Sequence, residues 1–269
     1  MELYLESQDL KEIEEAFKSG IPSGLTTSPA FIQRSTLSDE TALIKKISSL
    51  ASVIHIDAIG EKSETIVHEA HRLMSLGISS DTIVLRIPVS MEGIKACRIL
   101  SREGIKVNIQ SVFTLQQAYV AMQAGAAYVS IPSGKLQDHG YDSSALLEQS
   151  IACAKKYDYA TKVMITAVRS AEQVRNAINL GVNAIALPWN IIKGLTENDY
   201  SNQSNQQFFE SNRFLTTLVK DVLRDINPQV KLSDTILDAV VQMSQGGGIR
   251  SYSSHGPGAL AFPWCSARR

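Results

Sequence analysis

Eight short apolar runs recur along the chain: LYL (Leu3 to Leu5), GLTT (Gly24 to Thr27), VIHIDA (Val53 to Ala58), TIVLRI (Thr82 to Ile87), KVNIQ (Lys106 to Gln110), AYVSI (Ala127 to Ile131), KVMITA (Lys162 to Ala167) and AIALP (Ala184 to Pro188). Between them lie segments with apolar residues at helical spacing, among them SETIVHEAHRLMSLG, MEGIKACRILSREG, LQQAYVAMQAG and AEQVRNAINLG, each closed by a glycine suited to a left-handed helix cap. Alternating strands and helices predict a parallel sheet, and eight continuous apolar strands between residues 3 and 188 predict that it closes into an α/β fold of the (β/α)8 TIM-barrel type. An open doubly wound sheet is the competing architecture, but the first loop, ESQDL, carries no GxGxxG fingerprint for a dinucleotide.

The texture changes after Leu195. TENDYSNQSNQQ is polar and is expected to be a loop, followed by two helices in FFESNRFLTTLVKDVLRDI and LSDTILDAVVQMSQ. The expected organisation is a barrel over residues 1–195, a helical extension over 196–245 packing on the barrel or on a neighbouring subunit, and a mobile Gly-, Pro- and Ser-rich tail over 246–269.

Composition narrows the partners. Of 269 residues 44% are hydrophobic and the formal net charge is −1, so no basic footprint for nucleic acid is present. No apolar run nears the roughly 18 residues of a membrane span, and the acidic start MELYLESQDLKEIEEAF is unlike a signal peptide; a soluble, cytoplasmic protein is expected. Cys97, Cys153 and Cys265 lack any CxxC spacing, which suggests neither a disulfide framework nor zinc, and no cofactor or metal is implied. A small molecule is the expected partner.

Barrels of this type build their sites at the C-terminal strand ends. There the chain carries Glu6, Thr26 to Ser28, Asp57, Arg86, Asn108 with Gln110, Ser130 with Lys135 beyond it, Thr166 with Arg169, and Trp189 with Asn190. Carboxylates and cations converging on one mouth suit a small ligand that is anionic or polyhydroxylated, such as a sugar phosphate, with Arg169 placed where barrels commonly bind phosphate.

Three stretches, LYLESQDLKEIEEAFKSGIPSGLTTSPAFI, IVLRIPVSMEGIKACRILSREGIKVNIQSVFTLQQAYVAMQAGAAYVS and AVRSAEQVRNAINLGVNAIALPWNIIKGL, resemble the small transaldolase and fructose 6-phosphate aldolase family over roughly residues 3 to 218. The resemblance implies a barrel, aldol chemistry and a homo-oligomer. It also implies a Schiff-base lysine on the fourth strand, where this chain has Arg86. Guanidinium stays protonated and cannot act as that nucleophile. Other positions of the family pattern change too: Glu6 for aspartate, Ser28 in TTSP for TTNP, Asp57 for glutamate, Gln110 for threonine, Lys135 for arginine and Ala167 for serine, while Asn108 and Arg169 match.

The expected roles follow. Arg86, Glu6 and Asp57 are the candidate catalytic residues, Glu6 as base and Asp57 chiefly as counterion, one or both accepting hydrogen bonds from Arg86. Thr27, Ser28, Asn108, Gln110, Ser130, Lys135 and Arg169 are candidate substrate contacts. His55 is expected on the opposite side of its strand from Asp57, packed and hydrogen-bonded, and Trp189 in the packing of the eighth loop. The leading expectation is aldol, retro-aldol or enolisation chemistry on a hydroxyketone or sugar phosphate without the fourth-strand lysine. The alternatives are a barrel that only binds, and ordinary transaldolase activity through another amine such as Lys135.

Overall fold

The computed structural model describes residues 1–27 and 40–212, together with Thr235, Leu237 and Val241. Eight parallel strands close into a barrel in sequence order: β1 (Glu2–Glu6), β2 (Gly24–Thr26), β3 (Ile54–Asp57), β4 (Ile83–Pro88), β5 (Val107–Gln110), β6 (Tyr128–Pro132), β7 (Lys162–Thr166) and β8 (Ala184–Leu187), with β1 pairing back to β8. The helices are α1 (Leu10–Lys18), α2 (Glu40–Ser48), α3 (Ser63–Met74), α4 (Met91–Arg102), α5 (Leu115–Gln123), α6 (Ser133–Asp138), α7 (Ser143–Lys156), α8 (Ala171–Leu180), α9 (Trp189–Gly194) and α10 (Asp199–Ser211). Every predicted strand is present.

Alternation along each strand divides the apolar residues into two cores. Leu5, Leu25, Ile54, Ile56, Leu85, Ile87, Ile109, Val129, Ile165 and Leu187 face outward onto the helices. Tyr4, Val84, Tyr128, Met164, Ala184 and Ala186 fill the barrel itself. Burial on both faces explains why the strands are written as continuous apolar runs rather than as alternating ones. Polar side chains start several helices: Asp9, Ser90 and Ser170 accept backbone N–H bonds at the N-caps of α1, α4 and α8, and Thr114 forms a reciprocal capping box with Gln117 on α5. Gly181 closes α8 at φ 70°, a conformation that L side chains avoid, as its place in the sequence predicts.

The chain divides into two compact units at Glu197 and Asn198. In the second unit α10 occupies most of the polar stretch expected to be a loop. Asn198 caps it by accepting from the N–H groups of Tyr200 and Ser201, and Gln206 bonds Glu210 one turn later, so local hydrogen bonds support a helix that no apolar stripe announces. None of its residues is buried. Ser28, the helix expected over FFESNRFLTTLVKDVLRDI beyond residue 212, the helix expected over LSDTILDAVVQMSQ apart from Thr235, Leu237 and Val241, and the expected mobile tail lie outside the described residues. Among the described residues no helix is long and apolar enough to cross a membrane.

The barrel leaves no room for a side chain at Gly24 on β2. A Cβ on Gly24 would lie 2.4 Å from the Val53 carbonyl oxygen and 2.7 Å from the Tyr4 ring, both held by neighbouring strands. Gly24→Ala is therefore expected to lower the unfolding free energy by about 1–3 kcal/mol, read from urea denaturation curves.

Candidate functional site in the barrel mouth

The C-terminal ends of β1, β2, β4, β7 and β8 open on a cleft of about 580 Å³, lined by Glu6, Ser7, Gln8, Asp9, Glu12, Thr26, Thr27, Arg86, Ala167, Val168, Arg169 and Pro188. A second cavity of about 540 Å³ lies at the other end of the barrel, with Glu2, Lys106, Lys162 and Tyr128 in its walls. There Glu2 accepts bonds from Lys162, Tyr4 and Tyr128. Burial raises its carboxyl, but these bonds outweigh burial and hold it below the ordinary range. That end is a self-satisfied ionic floor, and the mouth is where this architecture places chemistry.

Arg86 projects inward from β4 and is one-fifth exposed. Its NH1 donates to Thr26 Oγ1 at 3.0 Å and to the Thr27 carbonyl, and its NH2 to Gln110 Oε1 at 2.5 Å. Gln110 in turn donates through Nε2 to Asp57 Oδ1 at 2.8 Å. The amide thus spaces the two charges, and Asp57 Oδ2 lies 3.6 Å from Arg86 NH1, an ion pair without a direct hydrogen bond. The acceptors of Arg86 are therefore two threonines and a glutamine, not Glu6 or Asp57 as expected. Thr27 and Gln110 reach the guanidinium itself.

Glu6 ends β1 and is open to solvent through the cleft, although the barrel wall encloses much of it. Burial lifts its carboxyl above the ordinary range, against the opposing pull of the Arg86 charge, an N–H bond from Ala167 and the Lys135 charge. Ala167 adopts φ 54°, which turns its peptide so that the N–H meets Glu6 while its carbonyl accepts from the Gly134 N–H at 3.1 Å. Asp57 is also raised, by burial first, with Arg86 and the Gln110 bond opposing.

One layer beneath lies a second group. Asn108 Nδ2 donates to His55 Nδ1 at 2.9 Å and Ser130 Oγ to Asn108 Oδ1 at 2.8 Å, all three side chains being buried. Asn108 and Ser130 do not line the cleft. His55 faces inward with Asp57, because residues two apart on a strand share a face, which corrects the expected opposite orientation. It is packed between Tyr4 and Tyr128, and burial, with the Arg86 and Lys162 charges, lowers its pKa to about 3. Trp189 is buried against the helix layer.

Arg169 lines the cleft, but its fork is engaged by a residue that sequence reasoning missed: Asp138 at the end of α6, with NH1 to Oδ1 at 2.5 Å and NH2 to Oδ2 at 2.8 Å. Lys135, three residues before Asp138 on the same helix, is exposed. Ser7, Gln8, Asp9 and Glu12 were also missed as cleft residues, although ESQDL follows β1 directly and its position alone places it at the mouth.

With this geometry in hand, the family described as Transaldolase/Fructose-6-phosphate aldolase matches residues 3–231. The chain belongs to that family. A probable transaldolase of Desulfotalea psychrophila (strain LSv54 / DSM 12343) is 34% identical over 214 residues, covering 77% of this chain and 96% of that protein. A probable transaldolase of Thermoanaerobacter sp. (strain X514) is 31% identical over 211 residues, covering 78% and 96%. The crystal structure of a putative fructose-1,6-biphosphate aldolase from Coccidioides immitis superposes with a TM-score of 0.51 at 15% identity, covering 70% of this chain and 73% of that one, a likeness of fold.

Glu6 and Asp57 release protons at higher pH in the folded barrel than in the unfolded chain, so folding is opposed as pH rises from about 4 through their raised values. The Glu6→Gln, Asp57→Asn double variant is expected to gain stability relative to the unmutated protein between pH 4 and 7, measured by urea denaturation at each pH; a flat difference would contradict the shifts.

Proposed function

We propose that this chain is an aldolase-type enzyme that cleaves or forms a carbon–carbon bond beside the carbonyl of a small hydroxyketone or ketose, with Arg86 in place of a Schiff-base lysine. The observation that carries the reading is the presence, in one cleft, of a fixed guanidinium from β4 and a carboxylate of raised pKa from β1. Arg86 is held by Thr26, Thr27 and Gln110, so its direction is set before a ligand arrives, as electrostatic stabilisation of a developing oxyanion requires. Three of its five N–H groups are engaged by these acceptors, which leaves donors for a carbonyl oxygen.

In the retro-aldol direction Glu6 accepts the proton of the hydroxyl at C4 as the C3–C4 bond breaks. The bonding pair passes to C3 and the C2 oxygen, giving an enolate held by Arg86, while C4 leaves as an aldehyde. Glu6 then returns its proton to C3, so a ketose divides into a shorter hydroxyketone and an aldehyde with all atoms accounted for. A carboxylate whose pKa lies above its ordinary range suits both proton transfers better than a fully exposed one. Family membership supports aldol-type chemistry. Gln110 and Asp57 serve as positioning residues for Arg86.

The second reading, a Schiff base on Lys135, draws on the charge that this lysine exerts at Glu6. Borohydride reduction with dihydroxyacetone followed by intact-mass analysis separates the two: no adduct is expected on the unmutated protein, and a reduced adduct mapped to Lys135 would overturn the proposed mechanism. In solvent deuterium, exchange into the hydroxymethyl groups of dihydroxyacetone, followed by NMR, is expected to fall by about 10²–10⁴-fold in Glu6→Gln. Its acid limb is expected to have a midpoint above the ordinary carboxylate value, because Glu6 must first lose a proton that the fold helps it retain. An absence of exchange and of cleavage in the unmutated protein would favour a barrel that only binds.

A further inference from the structure

The mouth resembles a phosphate site in its position after β7, yet its anion-binding groups are already taken by side chains of this chain. The guanidinium of Arg169 meets both oxygens of Asp138, at 2.5 and 2.8 Å, in the forked geometry that a phosphate would use. The Arg169 backbone N–H, a second natural donor to an anion, gives its proton to Gln173 Oε1 at 2.7 Å. Gln173 is buried and is itself fixed by Gln137, whose Oε1 accepts from its Nε2 at 2.7 Å. At the N-terminus of α8 the Ser170 side chain accepts the N–H of Gln173, and at that of α1 the Asp9 carboxylate accepts the N–H of Lys11.

Charge points the same way. Among the described residues that line the cleft, Glu6, Asp9 and Glu12 oppose Arg86 and Arg169; just outside the lining, Asp138 adds a negative group against Arg169 and Lys135 a positive one whose charge reaches Glu6. Arg86 has its own carboxylate neighbour in Asp57. A dianionic phosphoryl group would enter a site where carboxylates outnumber arginines and both arginines are partnered. Hydroxyl groups meet the opposite situation. Carboxylates accept their protons, and a neutral carbonyl oxygen asks Arg86 for only one or two of its unengaged N–H groups.

We infer that the cleft selects an unphosphorylated, polyhydroxylated ketone or ketose over its phosphate ester. The inference rests on the ketose reading of the site above and narrows its substrate class. Asp138 then acts as a specificity-determining residue: it keeps Arg169 occupied and excludes the ester.

The test compares D-fructose with D-fructose 6-phosphate, first by isothermal titration calorimetry and then by release of dihydroxyacetone, which both would yield on cleavage of the C3–C4 bond. The unmutated protein is expected to bind and cleave fructose at least tenfold better than the ester. Asp138→Asn is expected to improve binding of the ester about tenfold or more and to leave fructose within twofold, because Arg169 is freed and the fructose contacts are untouched. A tenfold preference of the unmutated protein for the ester, lost in Arg169→Ala, would overturn the inference while leaving the aldolase reading intact. Binding of fructose in preference to the ester without any dihydroxyacetone would do the reverse. Binding of neither would overturn the inference.

Discussion

A guanidinium in a barrel mouth cannot give up its charge, so the surrounding strands must solvate it. The arrangement around Arg86 is built on that requirement. Thr26 and Thr27 at the end of β2 supply a hydroxyl and a carbonyl, Gln110 supplies an amide oxygen from β5, and Asp57 supplies charge from β3. The glutamine decides the character of the site. By taking one hydrogen bond from Arg86 and giving one to Asp57, it keeps the carboxylate from closing on the guanidinium as a fork, and the positive field stays directed partly toward the cleft.

The two ends of the barrel show how the same residue types serve different ends. Glu2 at the floor is bonded by a lysine and two tyrosines and sits below the ordinary carboxyl range; Glu6, four residues later on the same strand, is enclosed with fewer bonds and sits above it. Burial opposes ionisation in both. What differs is how many donors face the charge, and that difference separates a structural ion pair from a group able to exchange protons.

Much of this was legible in the chain. The eight strands could be read because strands buried on both faces leave unbroken apolar runs, and the mouth residues because barrel geometry assigns the last position of each run to one end. Partnerships were less legible, since they depend on side chains distant in sequence. Gln110 serves Asp57 and Arg86 at once, and Asp138 comes from a short helix after β6 to meet an arginine after β7. His55 was expected on the wrong face although strand periodicity already placed it beside Asp57. The α10 stretch reads as a loop in the sequence because its stabilising signals are a cap and polar side-chain bonds rather than an apolar stripe.

The layer between floor and mouth has a consequence for traffic. Tyr4, His55 and Tyr128 pack with ring centroids 4.7 Å and 4.9 Å apart on either side of the histidine, and the three side chains are buried. They partition the barrel into two blind compartments. A molecule that enters from the mouth must depart by the same doorway, so two fragments of a divided ligand would leave one behind the other, and the deeper fragment would still be in place when the outer one had gone.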